Sequence, residues 1–147
     1  MAKSFSAQVS SFVQKSEEKM RKVMQRSVQD VLSAAQTAQP STARSIGPFE
    51  QGKIPVDTGF LRNSLISGLN GSFGDESPDS YILTIAGMEI GDTMQFGWTA
   101  PYAARIEYGF FGDDSAGRTF DQPGRHFVGV NAAKWQDIVA KNARRRT

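Results

Sequence analysis

The sequence predicts an α+β fold in which a long N-terminal helix and shorter helices pack on a small antiparallel β-sheet. Three observations predict it. An apolar stripe recurs in steps of three and four over the first 36 residues. Two β-rich runs, Tyr81–Ala86 and Met94–Trp98, flank a turn. Two amphipathic segments then follow, each with helix-start and helix-stop residues at its ends.

The stripe comprises Phe5, Val9, Phe12, Ser16, Met20, Val23, Ser27, Val31 and Ala34, widened by Val13, Met24, Val28, Leu32 and Ala35. Lys15, Glu18, Lys22 and Arg26 fall away from it. No Gly or Pro intervenes before Pro40, so one helix is expected from about Ser4 to about Gln36. Residues 37–56, rich in Pro, Gly, Ser and Thr, are expected to form a long, mobile connection. Asp57 or Thr58 then caps a short turn through Phe60, Leu61 and Leu65, with Gly59 permitting tight entry. A strand from about Ser64 to Ser72 makes a third member of the sheet, since a hairpin alone is marginal in water.

Tyr81–Ala86 and Met94–Trp98 read as an antiparallel hairpin turning at Glu89–Asp92. Thr99 caps the next short helix, Pro101 sits in its first turn, and Gly109 ends it with a positive φ. Tyr102, Ala103 and Ile106 form its apolar face. Residues 110–124 are expected to be a second mobile insertion, after which His126–Val130 leads into a last helix carrying Trp135, Ile138 and Val139.

At 147 residues the chain is a single domain, residues 1–147, with a core that needs no metal or disulfide staple. It has no cysteine, which excludes thiol chemistry. Its first residues lack the apolar run of a signal peptide, and no stretch approaches a membrane span, so a soluble protein is expected. The net charge of +2 conceals segregation. Between Asn63 and Ala104 there is no Lys or Arg, whereas Lys134, Lys141 and Arg144–Arg146 crowd the last helix. Such a distribution suits a subunit that meets copies of itself or a charged partner.

Candidate chemistry is sparse. Gly47–Ile54, GPFEQGKI, approaches a phosphate-binding loop, but Ile54 stands where a Mg²⁺-ligating hydroxyl is required, and Pro48 and Pro55 oppose the strand-loop-helix context. A lone His126 excludes a multi-histidine metal site. The acidic stretch Gly112–Asp121 lacks the alternating carboxylates and terminal Glu of a calcium loop. Glu107 has no second carboxylate at a recognisable spacing, and pairing with a neighbouring Arg is expected of it. No catalytic residue, cofactor or metal is expected. Acidic residues interrupt both basic segments, so contact with nucleic acid is expected to be incidental.

Three stretches taken together, PVDTGFLRNSL at 55–65, PYAARIEYG at 101–109 and PGRHF at 123–127, resemble the tail-component family of tailed bacteriophages. The family's order is a long helix, a Val-Asp-Thr-Gly-x-Leu-x-x-Ser stretch, a hairpin, a Tyr-Ala-x-x-x-Glu-x-Gly helix and a Pro-x-x-Phe entry to the last helix. The resemblance implies a non-enzymatic virion protein, assembled in the host cytoplasm. It would form a homo-oligomeric ring in the neck between head-closure or adaptor proteins and tail-terminator proteins, around the DNA channel. A tail terminator or a head-closure ring is the alternative, and a small hydrolase or nucleotide-binding enzyme is the reading from another class.

On this reading Asp57, Thr58, Gly59, Leu61, Tyr102, Arg105, Glu107, Gly109, Phe127 and Trp135 are structural candidates. Val9, Phe12, Met20, Val23 and Val31 are interface candidates on the first helix. A helix of this length spans roughly 50 Å, whereas a compact chain of this size is roughly 38 Å across. Part of the apolar face, which continues to Val31, Leu32 and Ala35, is therefore expected to meet a neighbouring subunit.

Overall fold

The computed structural model describes residues 4–40, 51–56, 59–113 and 119–145. Helix α1 spans Phe5–Ala35, with the Ser4 hydroxyl accepting the Ala7 N–H at its start. It ends where Gln36 turns inward and the next residues extend into strand β1, Ala38–Pro40. Strand β2, Ile54–Val56, pairs parallel with β1 in the register Ala38 to Ile54. The connection expected over 37–56 is thus a strand at each end, and residues 41–50 lie outside the described residues.

Helix α2, Phe60–Asn63, follows Gly59, whose φ of 84° places it in the left-handed region. The caps expected of Asp57 and Thr58 lie outside the described residues. Leu61 is buried in α2, but Leu65 opens strand β3, Leu65–Leu69, and no longer belongs to the turn. Asn70 (φ 53°) and Gly71 (φ 87°) form the tight turn into β4, Ser72–Phe73.

Tyr81–Ala86 is a helix, α3, and not the expected strand. The turn Ser77–Ser80 sets it up: the Ser77 hydroxyl donates to Asp79, and the Ser80 N–H donates to the Ser77 carbonyl. Ile85 then packs into the interior, and its carbonyl accepts the Gln25 side-chain amide of α1 at 2.8 Å. Strand β5, Met94–Trp98, consequently pairs with β3 and gives a three-stranded antiparallel sheet ordered β4-β3-β5, with Leu65 opposite Trp98.

Helix α4, Ala103–Tyr108, is preceded by the turn at Pro101. Thr99 does not cap it; its hydroxyl bonds the Ser64 carbonyl and Glu76. Gly109 ends α4 at φ 91°, as expected. The stretch expected as a mobile insertion pairs as an antiparallel hairpin of β6, Gly109–Asp113, and β7, Thr119–Pro123; residues 114–118 lie outside the described residues. The last helical region is split into α5, Gly129–Ala132, and α6, Trp135–Arg144.

The core gathers Ala35, Ile54, Leu61, Ala100 and Phe127, with Val56, Trp98, Ala103 and Ile106 packed against it. The Trp98 and Phe127 rings meet edge to face, 5.0 Å between centroids. Helix α6 is fixed on α1 by a polar contact, in which the Asn142 amide donates to the Ser27 hydroxyl at 3.1 Å and to Asp30 at 3.0 Å. That contact explains why a serine interrupts the apolar stripe at 27.

Candidate interaction surface

Two of the quoted stretches meet in one elbow. After Gly109 the hairpin carries the chain out and back to Gly124, which lies flat on the end of α4: a Cβ there would sit 2.5 Å from the Glu107 carbonyl oxygen. Arg125 donates its N–H to the Ile106 carbonyl at 2.7 Å, and His126 donates to that of Glu107 at 3.1 Å. His126 then adopts φ 49° and reverses the chain. The Glu107 carboxylate accepts the N–H groups of Val128 (3.0 Å) and Gly129 (2.8 Å), capping α5 from outside.

Glu107 therefore holds a helix start and does not take the arginine partner expected of it. Both its oxygens are engaged and the residue is buried. Phe127, at the centre of the elbow, is in the core. Arg125 is also buried, and that burial lowers its pKa from the ordinary arginine value.

The near-phosphate loop joins the same elbow. The Gly52 N–H donates to the Arg125 carbonyl at 2.8 Å, and the Gly52 carbonyl accepts the Asn131 side-chain amide at 2.9 Å. Lys53 is followed by β2 with Ile54 buried, where a phosphate-binding loop would begin a helix. Among the described residues no group of three or more His, Asp or Glu could hold a metal ion, and no helix is long and apolar enough to cross a membrane.

The first helix is divided by its exposure. Its C-terminal half is held by the fold, with Ser27, Leu32 and Ala35 buried and Val23 and Val31 half-buried. Its N-terminal half is not. Every residue from Ser4 to Ser10 is exposed, and Phe5 (82%), Phe12 (71%) and Met20 (59%) show most of their surface, with Val9 and Val13 also exposed between them. The overhang is therefore at the N-terminal end, and Val31 is a packing residue of its own subunit.

Where the overhang meets the body, two open grooves flank it. One, about 300 Å³, lies between α1 and α6 and is lined by Lys19, Met20, Val23, Met24, Val139 and Ala143. The other, about 380 Å³, is lined by Met20, Met24, Met88, Ile90, Met94 and Trp135, drawn from α1, the α3–β5 turn, β5 and α6. No local sequence pattern announces the second groove, because its walls come from three separate parts of the chain. Tyr102 lies half out of the surface against the Phe60 ring, and Arg105 is exposed on α4.

The sequence model of the HK97-gp10_like family, a bacteriophage HK97-gp10 tail-component, matches residues 3–109 of the chain. The chain belongs to this phage tail-component family. No curated protein and no solved structure is significantly similar to it. The family match runs from the overhanging helix to Gly109, the first residue of the hairpin, and stops before the PGRHF stretch at 123–127. The structural unit does not stop there, because Glu107 inside the matched region caps α5 beyond it.

Proposed function

We propose that this tail component is a non-enzymatic ring subunit of the neck that joins head to tail. It would stack between a head-closure or adaptor layer and a tail-terminator layer. The observation that carries this reading, beside the family, is the half-helix of apolar side chains left without cover in the single subunit. Large exposed apolar stripes are rare on soluble monomers and mark protein contacts. The residues of the shared motifs serve as caps and core in this chain, which supports a scaffold in place of a catalyst. Exposed Lys141, Arg144 and Arg145 near the end of α6 support incidental, salt-screened contact with DNA in the channel.

The test is removal of the protein from an infecting phage, followed by electron cryomicroscopy of the products. Filled heads and completed tails that fail to join are expected, with joining restored by the full chain. Normal joined particles would overturn the reading. A tagged subunit seen at the tail-tube end of unattached tails would move it to a tail terminator.

A further inference from the structure

The overhang of α1 and the grooves at its base are two different surfaces of one chain, and they match. From Phe5 to Lys15 the helix projects apolar side chains, with Phe5 and Phe12 most exposed. At its base lie the grooves of about 300 and 380 Å³. A cavity of about 150 Å³ already accommodates benzene, so each groove admits a phenyl ring. Methionine walls adapt to such a guest and favour sulfur–aromatic contact.

Charge selects the second groove for that pairing. Lys15 is the one charged residue from Ser4 to Lys15 and is exposed, whereas Lys19 lines the first groove. The second groove is lined by Asp92 and by no Lys or Arg, in a stretch of chain that has neither from Asn63 to Ala104.

Building on the ring reading above, we propose that the occupant of the Met-lined grooves is a second copy of this chain, which inserts the Phe5–Phe12 face of its own α1. Donor and acceptor surfaces differ, so the contact is heterologous and repeats from subunit to subunit, closing when the rotation closes. The contact is also small. An overhang about 17 Å long and 10–12 Å across presents roughly 300 Å² on one face, so one contact buries roughly 600 Å² in total, below the ~1,200 Å² of stable pairs. A free dimer is therefore not expected, and the contact holds when each subunit makes two in a closed ring.

The absence of native cysteine makes a direct test available. Phe5 and Met24 lie 19 residues apart on one helix, roughly 28 Å, far beyond the ~7 Å Cα limit of a disulfide. Any bond in a Phe5→Cys/Met24→Cys double variant must therefore join two chains. Particles assembled with this variant in place of the native chain are oxidised mildly, run without reductant and imaged in parallel. The expected result is loss of the monomer band to a ladder that extends beyond the dimer, with each single variant remaining monomeric. A neck ring of this chain with no ladder overturns the contact and leaves the function standing. A product that stops at the dimer, or a bond to another virion protein, likewise overturns it. A ladder without a neck ring supports the contact and overturns the function, and the absence of both overturns both.

Discussion

Glu107 Oε2 accepts the Gly129 N–H at 2.8 Å, binding the end of α4 to the start of α5 across 22 positions of sequence. With Oε1 accepting the Val128 N–H, this side chain supplies the acceptors for two N–H groups at the start of α5. Glu107→Ala leaves two partly buried N–H groups without partners and is expected to cost about 2–3 kcal/mol. Glu107→Gln keeps one acceptor oxygen and is expected to fall between. Thermal or denaturant unfolding measures both, and an alanine variant as stable as the native chain would remove the cap from the account.

Gly124 is required by space. A Cβ would lie within 2.9 Å of three backbone atoms of residues 107–109, none of which can swing aside. Gly124→Ala is expected to cost about 2 kcal/mol, whereas Gly74→Ala, with nothing within 4 Å of its Cβ, is expected to be nearly neutral. Equal midpoints for the two variants in urea would contradict the packing described.

Gln36 is buried where α1 ends and bonds three ways. Its Nε2 donates to the carbonyls of Arg62 and Pro78, and its Oε1 accepts the Trp98 indole N–H at 2.9 Å. Gln36→Leu strands all three partners and is expected to destabilise by about 3 kcal/mol. In a Trp135→Phe background the Trp98 emission should also shift, and an unchanged spectrum would argue against the indole bond.

Asp92 closes the turn before β5. The Asn70 side-chain amide and the Glu89 N–H bond its carboxylate and hold its pKa below the ordinary aspartate value. A folded pKa below the unfolded one means that its contribution is present above about pH 4 and is lost as pH falls through the folded value. Protection of the Glu89 and Thr93 amides, relative to their intrinsic exchange at each pH, should fall on acidification below about pH 4, and Asp92→Asn should flatten that dependence. Parallel profiles in the two proteins would rule this linkage out.

The two halves of α1 should separate in mutagenesis. Phe5→Ser/Phe12→Ser alters exposed positions and is expected to leave stability within about 0.5 kcal/mol while blocking incorporation into particles. Val31→Asp places a charge at a half-buried position and is expected to cost about 1–3 kcal/mol in the free subunit. Incorporation of the double serine variant at the native level would separate the overhang from assembly.

The first helix was legible in sequence to within a residue at each end, because a 3.6-residue period sustained over thirty positions has no other regular solution. The positive φ at Gly109 was an equally local fact, imposed by backbone sterics, whereas the strand expected from Ser64 to Ser72 is broken by the turn at Asn70 and Gly71. Tyr81–Ala86 was not legible. Six apolar residues fit a strand or a buried helix, and the Ser77 turn together with the seat for Ile85 beneath α1 decided it. Nor could the sequence divide the apolar stripe into a packed half and a bare half, because periodicity records which face is apolar and not what covers it. The elbow at Glu107 and the Met-lined groove likewise exist only after folding, when segments dozens of residues apart share one surface and an N–H of one finds the carboxylate of another.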